Sequence, residues 1–326
     1  MTPDTESSHR ITRQVEAYIA FKRGLGFQLA VEADELRRFA AFARRQHHEG
    51  PLTAALALAW AQERPHYTRW YQARRLEVAH RFAVYAQIQD VETEVPPRGT
   101  FGSCHGRTTP YLFTLAEVQQ VMQAAQALPS PDGLRAQALS TAIGLLWATG
   151  LRPSELCSLM REDVNKMPGI LHVRKTKFTK ERALPLDATV VAALQQYAAF
   201  RDVQCRNPKT RHFFLSTGGI PLTLRHLEYG FTVIRRILLP PGESTWPGRA
   251  PRLYDLRHSF ACATIQRWYT EGIDVNHHLL LLSTYLGHVK PSDTYWYLTG
   301  TPELLALATE RFQQWAANAA RKGGDH

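Results

Sequence analysis

Leu286–Gly300 reads LGHVKPSDTYWYLTG. Two tyrosines, Tyr295 and Tyr297, flank Trp296, and His288 stands nine residues before the second tyrosine. Taken alone, such a cluster is packing, because aromatic side chains chiefly bury apolar area. The alternative makes one phenol a nucleophile and His288 part of its site. That alternative commits the rest of the chain to a definite architecture, so the remaining residues decide between the two.

With 326 residues, 44% of them hydrophobic and 21% charged, the chain has apolar material for two cores rather than one. No run of about 18 apolar residues occurs, so no membrane span is expected. The opening MTPDTESSHRITRQ is polar and lacks the apolar stretch of a signal peptide, which sets the expectation of a cytoplasmic, nucleoid-associated protein. Cys104, Cys157, Cys205 and Cys262 are scattered and form no CxxC pair, against a zinc site or a disulfide framework. Formal net charge is +10, and it is unevenly placed. Residues 1–95 carry 13 basic and 12 acidic side chains, residues 96–326 carry 26 and 17. The basic excess of the later part points to a polyanion, most simply nucleic acid.

The first part reads as helices. Ile11, Val15, Tyr18 and Ile19 share one stripe, and Leu36, Phe39, Ala40 and Ala43 recur at three- and four-residue steps. PLTAALALAW opens a third helix and Tyr67–Ile88 forms a fourth; GLGF at Gly24–Phe27 separates the first two and is a turn, not a dinucleotide fingerprint, since no strand precedes it. Val91–Pro110 has no periodicity and is rich in Pro, Gly, Ser and Thr, the composition of a linker. The expected division is a helical domain at 1–92, a linker at 93–109 and a larger domain at 110–326. The larger domain opens with a capping box, Thr114 and Glu117. A helix over 133–149 stops at Gly150, and Pro153 suits the first turn of the next. ILHV and RALPL alternate as two strands joined by a basic turn, and FFLS reads as a further short strand. Further helices are expected over 187–203, 222–239, 253–268, 275–286 and 302–320. The fold class is mainly α with a small antiparallel sheet.

Four words then stand out: TGLRPSEL with Arg152, KTKFTKER with Lys177, YDLRHSF with Arg257, and GHVKPSDTYWY with His288 and Tyr297. Their side chains match what phosphoryl transfer on DNA requires. Two guanidiniums can hold the non-bridging oxygens and balance transition-state charge. A phenol can attack phosphorus. A lysine can protonate the departing 5′-oxygen. These words, in this order over residues 110–320, resemble the tyrosine recombinase (phage-integrase) family, and the helical N-terminal part resembles that family's core-binding domain. DTYWYLTGTPELLALATER is most similar to integrases of recombinase-in-trio transposons.

The resemblance implies that Arg152 and Arg257 clamp the scissile phosphate, that His288 contacts it, and that Tyr297 is the nucleophile. Lys177, three residues before the KER triplet, falls on the hairpin lysine, with Lys175 and Lys180 as alternatives. Glu155 falls on a carboxylate that orients the site. Tyr295, two residues from Tyr297, would point about 200° away on a helix and reads as packing. One departure matters. The family's His-x-x-Arg is Tyr254-Asp-Leu-Arg257 here. A phenol ionises far above neutral pH and accepts a proton poorly, though it can donate a hydrogen bond. Tyr254 is therefore expected only to hydrogen-bond the phosphate, which leaves the base for Tyr297 unassigned. His258 reads as structural support.

His277 and His278 have no carboxylate or cysteine spaced to complete a metal site. No metal and no nucleotide cofactor is expected, since arginines and a lysine supply the positive charge. The expected partner is double-stranded DNA, and the resemblance implies a homo- or hetero-tetramer on it, with sister recombinases where the element is of the trio type. The amphipathic 302–320 would dock on a neighbouring protomer. Arg74, Arg75 and Arg81 are candidates for base contact. Two other functions share the residues: a type IB topoisomerase-like relaxing enzyme, and a degenerate homologue that binds DNA without cutting it.

Overall fold

The computed structural model describes residues 10–104, 109–165, 167, 169–174, 181–238, 249–299 and 313. The chain divides into two compact units, Met1–Thr108 and Thr109–His326. The first holds helices α1 (Arg10–Gly24), α2 (Ala30–Arg45), α3 (Ala54–Ala61) and α4 (Arg69–Gln89). Thr53 and Thr68 start the last two by accepting the N–H groups of Leu56 and Tyr71, which relieves donors that a helix start leaves unpaired. The apolar stripes meet in one core around Val15, Ile19, Leu36, Phe39, Trp60 and Phe82. Part of the stretch read as a linker is held against this unit. The Glu94 N–H donates to Leu52 O, its carboxylate accepts from the Ala54 N–H, and Val95 and Phe101 pack on the core.

Of the three arginines offered for base contact, Arg75 is unavailable. Its side chain is 3% exposed, pairs with Glu63 at 2.9 Å and lies 4.1 Å over the Trp60 ring and 4.7 Å over Tyr67. A guanidinium with a carboxylate partner and two aromatic faces is a structural pin. Arg81 bridges Glu32 and Glu77 at the surface, and Arg74 rests over Trp70.

The second unit runs α5 (Leu115–Gln126), α6 (Leu134–Thr149), α7 (Pro153–Cys157), α8 (Arg161–Asn165), β1 (Ile170–Val173), β2 (Arg182–Pro185), α9 (Ala188–Gln204), a 3₁₀ turn (Thr217–Gly219), α10 (Leu224–Ile237), α11 (Asp255–Thr270), α12 (Val275–Leu286) and α13 (Ser292–Thr299). The Thr114–Glu117 capping box forms as expected. α6 is apolar nearly all round and is wrapped by α5, α9 and α11, as a helix without a polar stripe must be. β1 and β2 pair antiparallel, with Ile170 opposite Pro185 and Val173 opposite Arg182.

FFLS is not a strand. Its backbone groups are satisfied one at a time: the Leu215 N–H donates to the Tyr197 hydroxyl, the Ser216 N–H to Ile220 O, and Phe214 O accepts from Leu222. Pro221, which lacks an N–H, sits where a ladder partner would be. Among the described residues no helix is long and apolar enough to cross a membrane, and no group of His, Cys, Asp or Glu is arranged to hold a metal ion. The segment 302–320 lies outside the described residues apart from Gln313.

Candidate active site

Two helix ends build the site. α6 ends at Gly150 and α12 at Gly287, both left-handed, with φ of 61° and 68°, a conformation that glycine adopts without strain. A helix terminus leaves carbonyls unpaired and carries partial negative charge. Here those carbonyls face guanidiniums. Arg257 donates from one terminal nitrogen to Gly150 O at 2.6 Å and from the other to Leu286 O at 2.7 Å. Arg152 donates to Gly287 O at 2.9 Å.

The geometry at Gly150 leaves no room for a side chain. A Cβ there would lie 2.5 Å from Phe260 Cδ1. Gly150→Ala should therefore destabilise the protein by about 1–3 kcal/mol, through strain at positive φ and overpacking. Guanidinium denaturation measures the loss, and an unchanged midpoint would contradict this account of the corner.

Arg152 caps α7, and Glu155 sits one turn on. The Glu155 carboxylate accepts from Arg152 Nη1 at 2.7 Å and from both terminal nitrogens of Arg182, at 3.1 and 2.7 Å. It also accepts from the Arg152 backbone N–H. Burial would raise the Glu155 pKa, but the bonds and charges of Arg182 and Arg152 outweigh it and hold the carboxylate below its usual range. Arg182, the arginine of KER, escaped the sequence reading because a basic hairpin reads as a solvated surface.

Arg257 is fully buried at 0% exposure. No carboxylate pairs with it among the described residues, and its Nε has no acceptor. Burial lowers its pKa and the charge of Arg152 adds to this, against the opposing influence of Tyr254, Tyr297 and Glu155, but a guanidinium stays protonated in a protein. Tyr254, 39% exposed, lies beside Arg152. Asp255, buried at the start of α11, accepts from Arg249 and from the Arg252 N–H. Arg249 also donates to Thr109 O. Ser259 links the same helix to the same incoming segment, accepting from the Phe113 N–H and donating to Asp255 O.

α12 and α13 bring in the remaining residues. His288 Nδ1 lies 2.7 Å from Thr294 Oγ1, and its ring stacks on Tyr297 with 6.1 Å between centroids. Tyr297 is 2% exposed, Tyr295 53%. Tyr295 is thus not packing as expected; the half-turn between the two positions sends it to solvent. Burial pushes the Tyr297 phenol up to about 12, against the lowering charge of Arg257. His288 is pushed down to about 4 by burial and then by Arg257 and Arg152. His258 falls to about 4 for the same first reason, with Arg257, Arg252 and Arg249 adding to it. Both imidazoles are neutral near pH 7.

The structure thus gathers Arg152, Glu155, Tyr254, Arg257, His288 and Tyr297, and adds Arg182 and His258. Lys177, with Lys175 and Lys180, lies outside the described residues. Arg152 and Arg182 share the Glu155 carboxylate, and Arg257 pairs with backbone carbonyls and with no carboxylate among the described residues, so the site carries an excess of positive charge beside a protonated phenol.

Residues 112–303 match the model of the phage integrase family. The chain is 36% identical over 298 residues to y4rE of Sinorhizobium fredii, named as a candidate integrase/recombinase, covering 91% of this chain and 94% of that protein. Two structures share the fold at 18% and 17% identity. One is the Tn1549 transposon integrase in complex with transposon right end DNA, with TM-score 0.65 and coverage of 93% of this chain and 99% of that one. The other is a lambda integrase tetramer bound to a Holliday junction, with TM-score 0.61 and coverage of 89% and 80%.

Proposed function

The chain belongs to the phage integrase family, the tyrosine-type site-specific DNA recombinases, and from that premise we propose that it cleaves duplex DNA with Tyr297 and rejoins the strands through a 3′-phosphotyrosyl ester. The observation that carries this is Arg257. A fully buried guanidinium with no carboxylate partner among the described residues and an Nε–H without an acceptor there, beside a phenol, is costly unless an anion completes it. A phosphodiester supplies that anion. Arg257 and Arg152 hold its non-bridging oxygens, and His288 donates a further hydrogen bond through its remaining ring nitrogen. Glu155, through Arg152 and Arg182, fixes the fork.

In the reaction the Tyr297 oxygen bonds to phosphorus and the bond to the 5′-oxygen breaks. The departing oxygen takes a proton from Lys177. The 5′-hydroxyl of a second duplex then attacks the phosphotyrosine and returns the phenol. The phosphate bond is exchanged, so no nucleotide is consumed. Residues 110–326 form the catalytic domain and 1–92 the core-binding domain. Four protomers act together on two duplexes, with sister recombinases filling some positions; a lambda integrase tetramer bound to a Holliday junction shares the fold.

Incubation with nicked suicide duplexes covering the ends of the protein's own element tests this. The expected product is a covalent protein–DNA adduct on a denaturing gel. Binding that weakens steeply with salt but yields no adduct would instead point to a non-cutting homologue, the reading that Tyr254 in place of histidine keeps open, or to a requirement for sister recombinases, which adding them to the reaction distinguishes. Relaxation of supercoils lacking the site would identify a relaxing enzyme. Tyr254→Phe removes one hydrogen bond to the phosphate and should slow adduct formation by about 10-fold. A loss as deep as that of Arg257→Ala would give Tyr254 a larger role.

A further inference from the structure

The family's usual base position is a phenol here, and Tyr297 still has a proton to lose. We propose that His258, adjacent to Arg257 on α11, is the group that takes it. The assignment rests on the proposed cleavage reaction and deepens it.

Two imidazoles of the described residues reach Tyr297. His288 lies nearly parallel to the phenol ring, at 20°, and its Nδ1 is engaged with Thr294 Oγ1. Ring nitrogens present their lone pairs in the plane of the ring, so a parallel imidazole aims past its neighbour. His258 is set differently. Its centroid is 5.6 Å from that of Tyr297 with the planes at 60°, and its Nδ1 is buried with no hydrogen-bond partner. The ring is held from three sides, by Tyr254 at 5.2 Å, Trp296 at 5.3 Å and Tyr297 itself. A buried, unpartnered imidazole nitrogen on a ring packed against that of the nucleophile is what the missing base requires, and buried polar atoms of this kind call for an explanation.

Burial first, and then Arg257, Arg252, Arg249 and His288, disfavour the cation of His258, so the ring is a neutral acceptor. A phosphodiester seated on Arg257 and Arg152 offsets the arginine part of that opposition. In the step, the Tyr297 O–H proton passes to His258 Nδ1 while the phenol oxygen bonds to phosphorus, and the imidazolium returns it when the phenol leaves during joining.

The test uses the full-length protein and the suicide duplex. His258→Gln, which keeps a polar group but no base, should form adduct roughly 100- to 10,000-fold more slowly, with unchanged affinity for the duplex. Replacing Tyr297 by a fluorinated tyrosine, whose phenol ionises more readily, should restore most of the rate in His258→Gln while changing the wild type little. Added imidazole should partly restore His258→Gly. Wild-type rates in His258→Gln would overturn the assignment, and so would a loss that neither the fluorinated phenol nor imidazole relieves, because that marks a packing role. If the wild type itself forms no adduct, the cleavage reading falls and the assignment with it.

Discussion

Tyr297→Phe is expected to bind its duplex like the wild type and to leave no covalent adduct, a loss of at least about 10,000-fold, because a phenyl ring has no oxygen to bond phosphorus. The substitution spares the fold. The ring packs with Cys262, Ile265, Leu282 and Leu286, and phenylalanine retains that contact. Tyr295→Phe, altered at an exposed position, should keep both binding and adduct. The pair of variants therefore separates chemistry from architecture. An adduct surviving in Tyr297→Phe would move the nucleophile elsewhere, and loss in both would point to damage to α13.

The second large effect is on stability. Glu155, 6% exposed, is the one carboxylate between Arg152 and Arg182. Glu155→Gln leaves two guanidiniums without their counter-charge, and breaking a buried pair in this way costs about 3–5 kcal/mol. The pH dependence has a definite sign. The folded carboxylate titrates below its ordinary value of 4.5, so its contribution is complete above that value and fades as pH falls through the lowered folded one. Denaturation midpoints of wild type and Glu155→Gln should differ by a constant amount near neutrality and converge in acid. A gap that persists unchanged at the acid end would mean that the glutamate acts through shape and not charge. Cleavage should fall as well, since Arg152 loses its anchor.

Much of this was legible in the residues because it depends on local rules. Helical periodicity gave the four-helix unit, glycine and proline marked the corners at Gly150 and Pro153, and Thr114 with Glu117 announced α5. The order of the four words located the arginines, His288 and Tyr297. What escaped depends on which atoms meet across the fold. Arg75 and Arg74 are neighbours of the same type in sequence, and only the positions of Trp60, Tyr67 and Glu63 make one a buried pin. FFLS has the composition of a strand, yet Pro221 and the Tyr197 hydroxyl deny it a ladder. Arg182 became visible once Glu155 was seen to hold two guanidiniums. His258 reads as filler beside Arg257 until its neighbours and its unpartnered nitrogen are known.

The ties at the start of α11 have a mechanical meaning. Thr109 and Phe113 lie where the chain enters the second unit, and each is bonded to α11, through Arg249 to Asp255 and through Ser259. Asp255 stands between Tyr254 and Arg257. Residues 109–113 and the start of α11 therefore form one hydrogen-bonded corner, and a displacement of either displaces the turn that carries Tyr254 and Arg257.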